Sequence, residues 1–199
     1  MSRGLLIVLS GPSGVGKSTA VAEVRKNYPN LQFSVSATTR PIRPGEEEGK
    51  SYYFLTREEF EALRDRGELL EHAEYVGNYY GTPAAPIDAA LDAGQDILLD
   101  IEPVGAMQVR AARPDAVLIF LAAPSFTELE HRLTGRGDTP PDKIRSRLEK
   151  ARWEYTQAEK YDYIVVSDEV PKTADRILSI IKAEKCRAQR QLDLVKEEK

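Results

Sequence analysis

The chain has 199 residues and a net charge of −4, and 41% of its residues are hydrophobic while 30% are charged. This length and composition suit a single globular domain and exclude a disordered or membrane-embedded chain. A negative net charge also excludes bulk attraction to nucleic acid, so phosphate groups would have to be bound by a local cluster of cations.

Cys186 is the only cysteine in the sequence. An internal disulfide and a cysteine-built metal site are therefore excluded, and a reducing compartment, with the cytoplasm as the default, is expected. The apolar run at residues 5–9 is at the short limit for a signal peptide and precedes a glycine-rich turn, which favours a buried strand. No apolar stretch of the sequence approaches the length needed to span a bilayer.

Apolar runs and helix-like segments alternate along the sequence. The runs at residues 5–9, 97–99, 117–121 and 163–166 predict buried strands, and each is followed by a helix-like segment. This alternation predicts an α/β fold in which helices wrap a parallel sheet.

Local signals predict where several helices begin and end. Thr82 and Pro83 offer an N-cap and a first residue to a helix that Gly94 ends, and Ser125 opens another helix. A charged segment follows at residues 140–160. A last helix is predicted from Lys172 onward, and we expect its polar tail, up to residue 199, to fray.

Two regions interrupt the alternation. Residues 36–81 are rich in Arg, Glu, Gly and Tyr, with strand-like pieces at 52–54 and 71–76, and predict an inserted lobe. Residues 132–152 carry arginines around Gly135, Arg136, Gly137 and Asp138, where a flexible hinge is expected.

The segment from Gly11 to Ser18 matches the pattern G-x-x-x-x-G-K-[ST] and lies between a predicted strand and a predicted helix, as that pattern requires. Its glycines let backbone N–H groups converge on phosphate oxygens, and the helix N-terminus adds partial positive charge. Lys17 is expected to bridge the β- and γ-phosphates of a nucleoside triphosphate, and Ser18 to offer a hydroxyl to Mg²⁺. The predicted triphosphate-binding residues of this phosphate loop are Gly11, Pro12, Ser13, Gly14, Val15, Gly16, Lys17, Ser18 and Thr19.

The phosphate loop does not identify the acceptor, because GTPases, motor ATPases and small-molecule kinases share it. An ordinary glycine-rich turn is the alternative, and the full match in its expected context disfavours it. The sequence has no Asn-Lys-x-Asp segment of the kind that GTPases use to recognise guanine, which favours a kinase.

Three further segments, at residues 36–46, 49–54 and 77–82, resemble the acceptor-binding segment of guanylate kinases. Their sequences are SATTRPIRPGE, GKSYYF and GNYYGT. The resemblance spans nearly the whole chain, with several separated motifs in the family's order. It implies a P-loop NTPase core with a parallel five-stranded sheet flanked by helices, a small mixed GMP-binding insert and a helical lid.

The implied boundaries are 36–82 for the insert, 132–152 for the lid, and 1–35, 83–131 and 153–199 for the core with its C-terminal helix. The resemblance also implies the reaction ATP + GMP to ADP + GDP with Mg²⁺, and dGMP as a second acceptor. ATP and GMP or dGMP are thus the expected partners, and the sequence does not indicate a protein partner.

By resemblance, Arg40, Arg43, Tyr52 and Tyr80 grip the monophosphate of the acceptor. Two guanidinium groups can form bidentate hydrogen bonds with a phosphate dianion, and tyrosine hydroxyls complete its coordination without adding charge. The alternatives are a solvated surface pair for the two arginines and core aromatic positions for the two tyrosines.

Guanine presents adjacent N1–H and N2–H₂ donors, so a carboxylate should recognise it. By resemblance Glu71 is that carboxylate, and Ser36 and Thr82 supply hydroxyls near the base. Outside this set of residues, a lone glutamate such as Glu71 would more often be solvated surface.

Asp100 and Glu102 also belong to the implied GMP site. Asp100 follows a predicted strand, at the carboxyl end where ligands bind in open α/β sheets, and together with Ser18 it could help to order Mg²⁺, directly or through water. Glu102 replaces the aspartate that many relatives carry, and Pro103 and Val104 also depart from the family pattern. Glu102 could equally cap the following helix.

The family's lid arginines correspond here to Arg132, Arg136 and Arg147, with Arg145 and Arg152 nearby. Positive groups that close over the transferring phosphoryl stabilise its charge and exclude water. The alternative is a set of solvated arginines paired with Glu149 and Glu154.

Ser167 and Asp168 follow the last predicted strand, where many relatives have Asn-Asp near the adenine. Contact with adenine through Ser167, and with it the strictness of ATP as donor, stays open. His72 and His131 have no ligand or triad context and are expected to be structural or surface residues.

Within this interpretation the three arginines that correspond to the family's lid arginines have expected roles. Arg132 and Arg136 contact ATP, and Arg147 contacts GMP. The expected catalytic residues are Lys17, Arg40, Arg136 and Arg147.

Two rival functions remain. Another small-molecule P-loop kinase would share the chemistry of Lys17 but lack a guanine pocket centred on a carboxylate. A catalytically silent guanylate-kinase-like interaction module would bind a protein in its cleft, and the intact Gly16-Lys17-Ser18 together with the lid arginines argues against it.

Overall fold

Strands and helices alternate in the computed structural model of the chain, which describes residues 3–75, 77–134 and 141–195. The strands are β1 (Leu6–Ser10), β2 (Gln32–Phe33), β3 (Ala37–Thr38), β4 (Tyr53–Phe54), β5 (Leu69–Tyr75), β6 (Asn78–Pro83), β7 (Ile97–Asp100), β8 (Val117–Ala122) and β9 (Tyr163–Val166). The helices are α1 (Lys17–Asn27), α2 (Arg57–Asp65), α3 (Ala84–Asp92), α4 (Pro103–Ala112), α5 (Phe126–Thr134), α6 (Pro141–Thr156), α7 (Val170–Lys185) and α8 (Ala188–Val195).

The main sheet has five parallel strands within the described residues, in the order β2-β7-β1-β8-β9. The prediction of a parallel five-stranded sheet flanked by helices is therefore confirmed. Four of its strands coincide with the predicted apolar runs. The remaining strand, β2, has only two residues and no apolar run of its own.

The central strand β1 is buried on both faces of the main sheet. Ile7 and Leu9 pack with residues of α1 and α7 on one face, whereas Leu6 and Val8 pack with residues of α3 and α4 on the other. This division follows the two-residue period of a strand. Burying each such side chain contributes about 1.5–3 kcal/mol, so the strand is held firmly and the loop that follows it has a fixed starting point.

A second sheet, mixed in direction, lies within the region predicted as an insert. Its order is β4-β3-β6-β5, with β3 parallel to β4 and antiparallel to β6. Helix α2 covers it: the Phe60 ring is fully buried and stacks on Tyr79 at 5.4 Å. Helix α2 was not predicted from the sequence, although Thr56 and Glu59 form a capping box that signals its beginning. The insert and lid boundaries stay predictions.

The prediction that Thr82 and Pro83 begin a helix is wrong. Both residues belong to β6, and α3 begins at Ala84. The reason is tertiary: the Thr82 hydroxyl donates to Glu71 Oε1 at 2.6 Å, and the Ala84 N–H donates to the Glu68 carbonyl at 2.9 Å. Pairing with β5 thus keeps the backbone of β6 extended through Pro83, although the local sequence favours a helix that begins at Thr82.

The C-terminal segment also differs from prediction. Helix α7 begins at Val170, two residues before Lys172, and ends at Lys185, after which the separate helix α8 follows. Residues 196–199 of the predicted tail lie outside the described residues. Ser125 does open a helix, since its hydroxyl accepts from the Glu128 N–H at 3.0 Å and α5 begins at the next residue.

Asp96 is a buried carboxylate at the amino end of β7 that ties three parts of the core together. It accepts hydrogen bonds from the Leu5 N–H at 3.0 Å and the Tyr28 hydroxyl at 2.7 Å, and it pairs with Lys185 Nζ at 2.6 Å. The residue is 2% exposed. Removing it would leave buried donors without an acceptor.

We predict that Asp96→Ala lowers the free energy of unfolding by about 2–4 kcal/mol, because unpaired buried polar groups lose hydration without compensation. Urea denaturation followed by circular dichroism measures this. The control is Asp92→Ala, which removes an exposed carboxylate paired with Arg3 and should change stability by less than about 0.5 kcal/mol. Equal losses in both variants would contradict the assignment.

Candidate active site

The phosphate loop connects β1 to α1 in a conformation that only glycine adopts easily. Gly14 and Gly16 have φ values of +84° and +99°. A Cβ at Gly11 would lie 2.3 Å from the Leu121 carbonyl oxygen, so the loop can approach β8 only because that side chain is absent. Helix α1 has no acidic residue in its first turn, and its N-terminal N–H groups keep their partial positive charge.

Lys17, the first residue of α1, turns back over the phosphate loop. Its Nζ donates to the Gly11 carbonyl at 2.7 Å and lies 3.4 Å from the Pro12 carbonyl. Burial lowers the pKa of Lys17, while the nearby carboxylates of Asp100 and Glu154 act in the opposite direction. The ammonium group thus lies against the phosphate loop, and backbone oxygens of that loop are its hydrogen-bond partners.

A cavity of about 510 Å³, the main cavity below, opens beside the phosphate loop. Its walls come from the loop, the mixed sheet, the end of β7, and helices α4 and α6. Predicted site residues that line it are Gly11, Ser13, Lys17, Ser36, Tyr52, Glu71, Tyr80, Asp100 and Glu102. The fold therefore brings together predicted site residues that are up to 91 positions apart, from Gly11 to Glu102.

Glu71 is a buried carboxylate in the wall of the main cavity, 8% exposed. The Thr82 hydroxyl donates to its Oε1 at 2.6 Å, which fixes the side chain, and Gly105 of α4 leaves space for Oε2. A Cβ at Gly105 would lie only 2.8 Å from that oxygen. Burial raises the pKa of Glu71; the Thr82 hydrogen bond opposes this effect and the charge of Glu102 adds to it.

Thr82 itself is fully buried and does not line the main cavity. Its hydroxyl proton is committed to Glu71, so its position suits orienting that carboxylate. Tyr52 and Tyr80, in contrast, line the cavity as half-buried side chains, with their rings edge to face at 6.2 Å. Neither tyrosine occupies the core position that was the alternative.

Arg40 lies behind the tyrosines and is itself largely buried. Its guanidinium forms a bidentate pair with Glu46 at 3.0 and 2.7 Å and stands 5.4 Å from the centre of the Tyr52 ring. Glu46 also accepts from the Arg43 backbone N–H at 2.8 Å. The Arg43 side chain is exposed, and neither arginine lines the main cavity.

Asp100 and Glu102 flank Ile101 in the sequence at the end of β7, and both line the main cavity. Glu102 occupies the N-cap position of α4, but within the described residues its side chain makes no capping hydrogen bond. Both of its carboxylate oxygens accept instead from Lys150 Nζ of α6, at 3.0 and 2.9 Å.

Among the arginines predicted for a lid, Arg132 is bound to the edge of the phosphate loop. Its guanidinium donates to the carbonyls of Val15 at 3.2 Å and Ser167 at 3.0 Å, and to Glu128 at 2.8 Å. Arg147 is exposed and lines a small cleft together with Ser13, Gly14 and Arg132.

Not all of the other arginines at residues 132–152 contact the phosphate loop. Arg145 is exposed, and Arg152 lies over the Phe126 ring at 4.9 Å. Arg136 lies outside the described residues.

A second cavity of about 240 Å³ lies on the other side of the phosphate loop, between α1 and the end of β9. Gly16, Thr19, Arg132, Ser167 and Asp168 are among its lining residues. Ser167 is buried, and the Asp168 carboxylate forms a bidentate pair with Arg176 at 2.7 and 2.9 Å, which lowers its pKa.

Four residues in or beside the candidate site were not predicted as site residues: Glu46, Gly105, Lys150 and Glu154. In the sequence, Glu46 is only the last residue of a segment that resembles the family. Nothing in the sequence around Gly105 indicates that this glycine contacts another segment closely. Lys150 and Glu154 are spaced i, i+4, which on a helix predicts a solvated ion pair as readily as a site. Their position on the cavity wall depends on how α6 packs.

Comparisons with known proteins identify the family of the chain. The family model described as guanylate kinase matches residues 3–184. A guanylate kinase of Streptococcus thermophilus is 53% identical over 189 residues, covering 94% of this chain and 90% of the relative. A guanylate kinase of Lactococcus lactis is 51% identical over 191 residues, covering 96% and 93%.

A solved structure gives the same result. The crystal structure of guanylate kinase from Anaplasma phagocytophilum superposes with a TM-score of 0.76 at 37% identity, covering 99% of this chain and 96% of that one. In the described part of the chain, no helix has the length and apolar character that crossing a membrane requires. The resemblance predicted from the sequence is confirmed: the chain belongs to the guanylate kinase family.

Proposed function

We propose that the chain transfers the γ-phosphoryl group of ATP to GMP, giving ADP and GDP, with dGMP as a second acceptor. The observation that carries this proposal is the position of Glu71, a buried, hydroxyl-oriented carboxylate in the same cavity as the Lys17 ammonium. An acceptor base and a transferring phosphate could thus occupy one cleft.

Guanine is the base that fits a fixed carboxylate. Its adjacent N1–H and N2–H₂ groups can both donate to an ionised Glu71, whereas adenine presents an unprotonated N1 that such a carboxylate repels. The Thr82 hydroxyl occupies Oε1 only in part, because a carboxylate oxygen accepts more than one hydrogen bond. Ser36 lies in the same wall and supplies a further hydroxyl to the base.

In the proposed reaction a phosphate oxygen of GMP attacks the γ-phosphorus of ATP. The bond between the γ-phosphorus and the β–γ bridging oxygen breaks, and its electron pair stays on ADP. The loop amides and Lys17 hold the phosphates in line, and Arg132 and Arg147 lie at the loop edge where charge spreads over the transferring group. Arg136 keeps its expected catalytic role as a proposal from the sequence alone.

The monophosphate of GMP is proposed to bind at Arg40, Arg43, Tyr52 and Tyr80. Arg40 donates to Glu46 through both terminal nitrogens, so the phosphate must share or displace that carboxylate. Its charge is nevertheless held beside the ring of Tyr52, which lines the main cavity. We infer that phosphate binding rearranges this pair.

The surroundings of the loop fit Mg²⁺ carried in with ATP. Within the described residues, no group of three His, Cys, Asp or Glu side chains could hold a metal by itself. Ser18 and Asp100 supply a hydroxyl and a carboxylate beside the phosphate site, which suits an ion that keeps several waters and binds phosphate oxygens. When bound, Mg²⁺ neutralises charge between the β- and γ-phosphates.

A coupled ADP-release assay offering GMP, dGMP, AMP, CMP and UMP separately tests the proposal. We expect turnover with GMP and dGMP and little with the others. A preference for AMP or a pyrimidine nucleotide would favour another P-loop kinase, and no turnover with any acceptor would favour a silent binding module.

Glu71→Gln should weaken GMP binding about ten- to a hundred-fold, the equivalent of about 1.5–3 kcal/mol for a charged hydrogen bond. The amide keeps one acceptor and turns an NH₂ group toward a guanine donor. AMP binding should change much less. Calorimetric titration measures both affinities, and Glu68→Gln, at an exposed glutamate, is the control. Equal proportional losses for GMP and AMP would mean that Glu71 supports the fold instead.

The KM for GMP should rise at acidic pH. Guanine recognition needs ionised Glu71, and its raised pKa means that the side chain takes up a proton at a higher pH than an exposed glutamate would. We therefore expect the GMP KM to increase as pH falls through the Glu71 pKa, while the ATP KM changes less.

Glu71→Gln serves as the control for this pH profile. The GMP phosphate itself titrates with a pKa of about 6, and this contribution persists in the variant. Only the part of the profile due to Glu71 should disappear. Superimposable relative profiles for the wild type and the variant would contradict the assignment.

A further inference from the structure

Helix α6 places two charged side chains, Lys150 and Glu154, in the wall of the main cavity. Neither belongs to the predicted site. The two residues lie one helical turn apart, on the face of α6 that meets the phosphate loop and the end of β7.

Lys150 bridges the cleft. Its Nζ lies 3.0 and 2.9 Å from the two carboxylate oxygens of Glu102, 48 positions away in the sequence, and 3.9 Å from Glu154 Oε1. One ammonium group therefore faces two carboxylates and joins α6 to the residue that precedes α4.

Glu154 makes this arrangement electrostatically demanding. Its side chain is 3% exposed, and Oε2 has no hydrogen-bond partner among the described residues. Burial raises the pKa of Glu154, and the charge of Lys150 is the largest effect that opposes this. Lys150 thus limits the cost of keeping a carboxylate beside the phosphate loop.

The charge on the cavity wall explains why Lys150 matters for an anionic acceptor. Among the described residues, the cavity is lined by two ammonium groups, Lys17 and Lys150, and by a larger set of carboxylates: Glu71, Glu74, Asp100, Glu102 and Glu154. Without Lys150, these carboxylates would repel a nucleotide dianion more strongly.

Glu102 also stands close enough to Glu71 for its charge to disfavour ionisation of Glu71. A glutamate has one methylene more than an aspartate, and therefore more rotamers. Holding both of its oxygens on Lys150 removes that freedom. The ion pair therefore determines where the second carboxylate of the acceptor pocket lies.

We propose that Lys150 is a positioning residue for the acceptor: it holds the Glu102 carboxylate on the α6 side of the cleft and offsets its charge, so that GMP can approach Glu71. This inference rests on the proposed function. Lys150 acts through Glu102, and loss of Lys150 should impair GMP binding and leave ATP binding largely unchanged.

The test is steady-state kinetics of Lys150→Met and Lys150→Arg, each alone and combined with Glu102→Gln. Lys150→Met should raise the GMP KM about three- to ten-fold, the size expected for a charged pair that stays partly exposed. The ATP KM should stay near its wild-type value. Lys150→Arg should restore most of the loss. In the Glu102→Gln background, Lys150→Met should raise the GMP KM little further, although loss of the Lys150–Glu154 contact should still lower the unfolding temperature.

The matched control is Lys26→Met, which removes an exposed lysine paired with Glu23 at the end of α1. Thermal unfolding of every variant separates misfolding from a binding effect. An unchanged GMP KM in Lys150→Met, equal rises in both KM values, or independent effects of the Lys150 and Glu102 substitutions would overturn the inference. Failure of the proposed function itself would appear in the wild type, as absence of GMP phosphorylation, and the inference would fall with it.

Discussion

The candidate site depends on one constraint, the burial of β1 in the centre of a parallel sheet. Because β1 pairs with β7 and β8 in parallel, the carboxyl ends of these strands meet at one edge. The phosphate loop leaves β1 there, and Asp100 ends β7 at the same edge. Gly11 completes the arrangement, since the loop turns against the Leu121 carbonyl where no side chain would fit. Lys17 and Asp100 thereby come into one cavity.

The carboxylates in the wall of this cavity lower the stability of the fold. Glu71 and Glu154 are both buried, and burial raises the pKa of each. Each carboxylate has a different compensation: a hydroxyl from Thr82 for Glu71, and the ammonium of Lys150 for Glu154. Buried charge of this kind is retained at the expense of stability, and it is typical of sites where a ligand supplies the missing partners.

The cationic groups are arranged differently from the carboxylates. Arg40 is paired with Glu46, Arg132 with Glu128 and backbone carbonyls, and Lys17 with carbonyls of its own loop. Each already has its hydrogen bonds made inside the protein. Phosphate oxygens would exchange for those partners, so the positions of the cations are set in advance while their final contacts depend on the nucleotide.

Local patterns in the sequence determined the fold class and the family of this protein. The phosphate loop, the alternation of strands and helices, and the segments that resemble the acceptor-binding region of guanylate kinases each depend on neighbouring residues. Together they were sufficient to predict the parallel sheet and the family. What they could not supply was which side chains from distant segments pair with each other. Thr82 looked like a helix cap and is a buried donor to Glu71, because β5 and β6 pair. Glu102 looked like either a ligand or a cap and is bound by Lys150, because α6 packs across the cleft. Such partners are set by the packing of whole elements, whose free energy is spread over the core and is not encoded in any short stretch of residues.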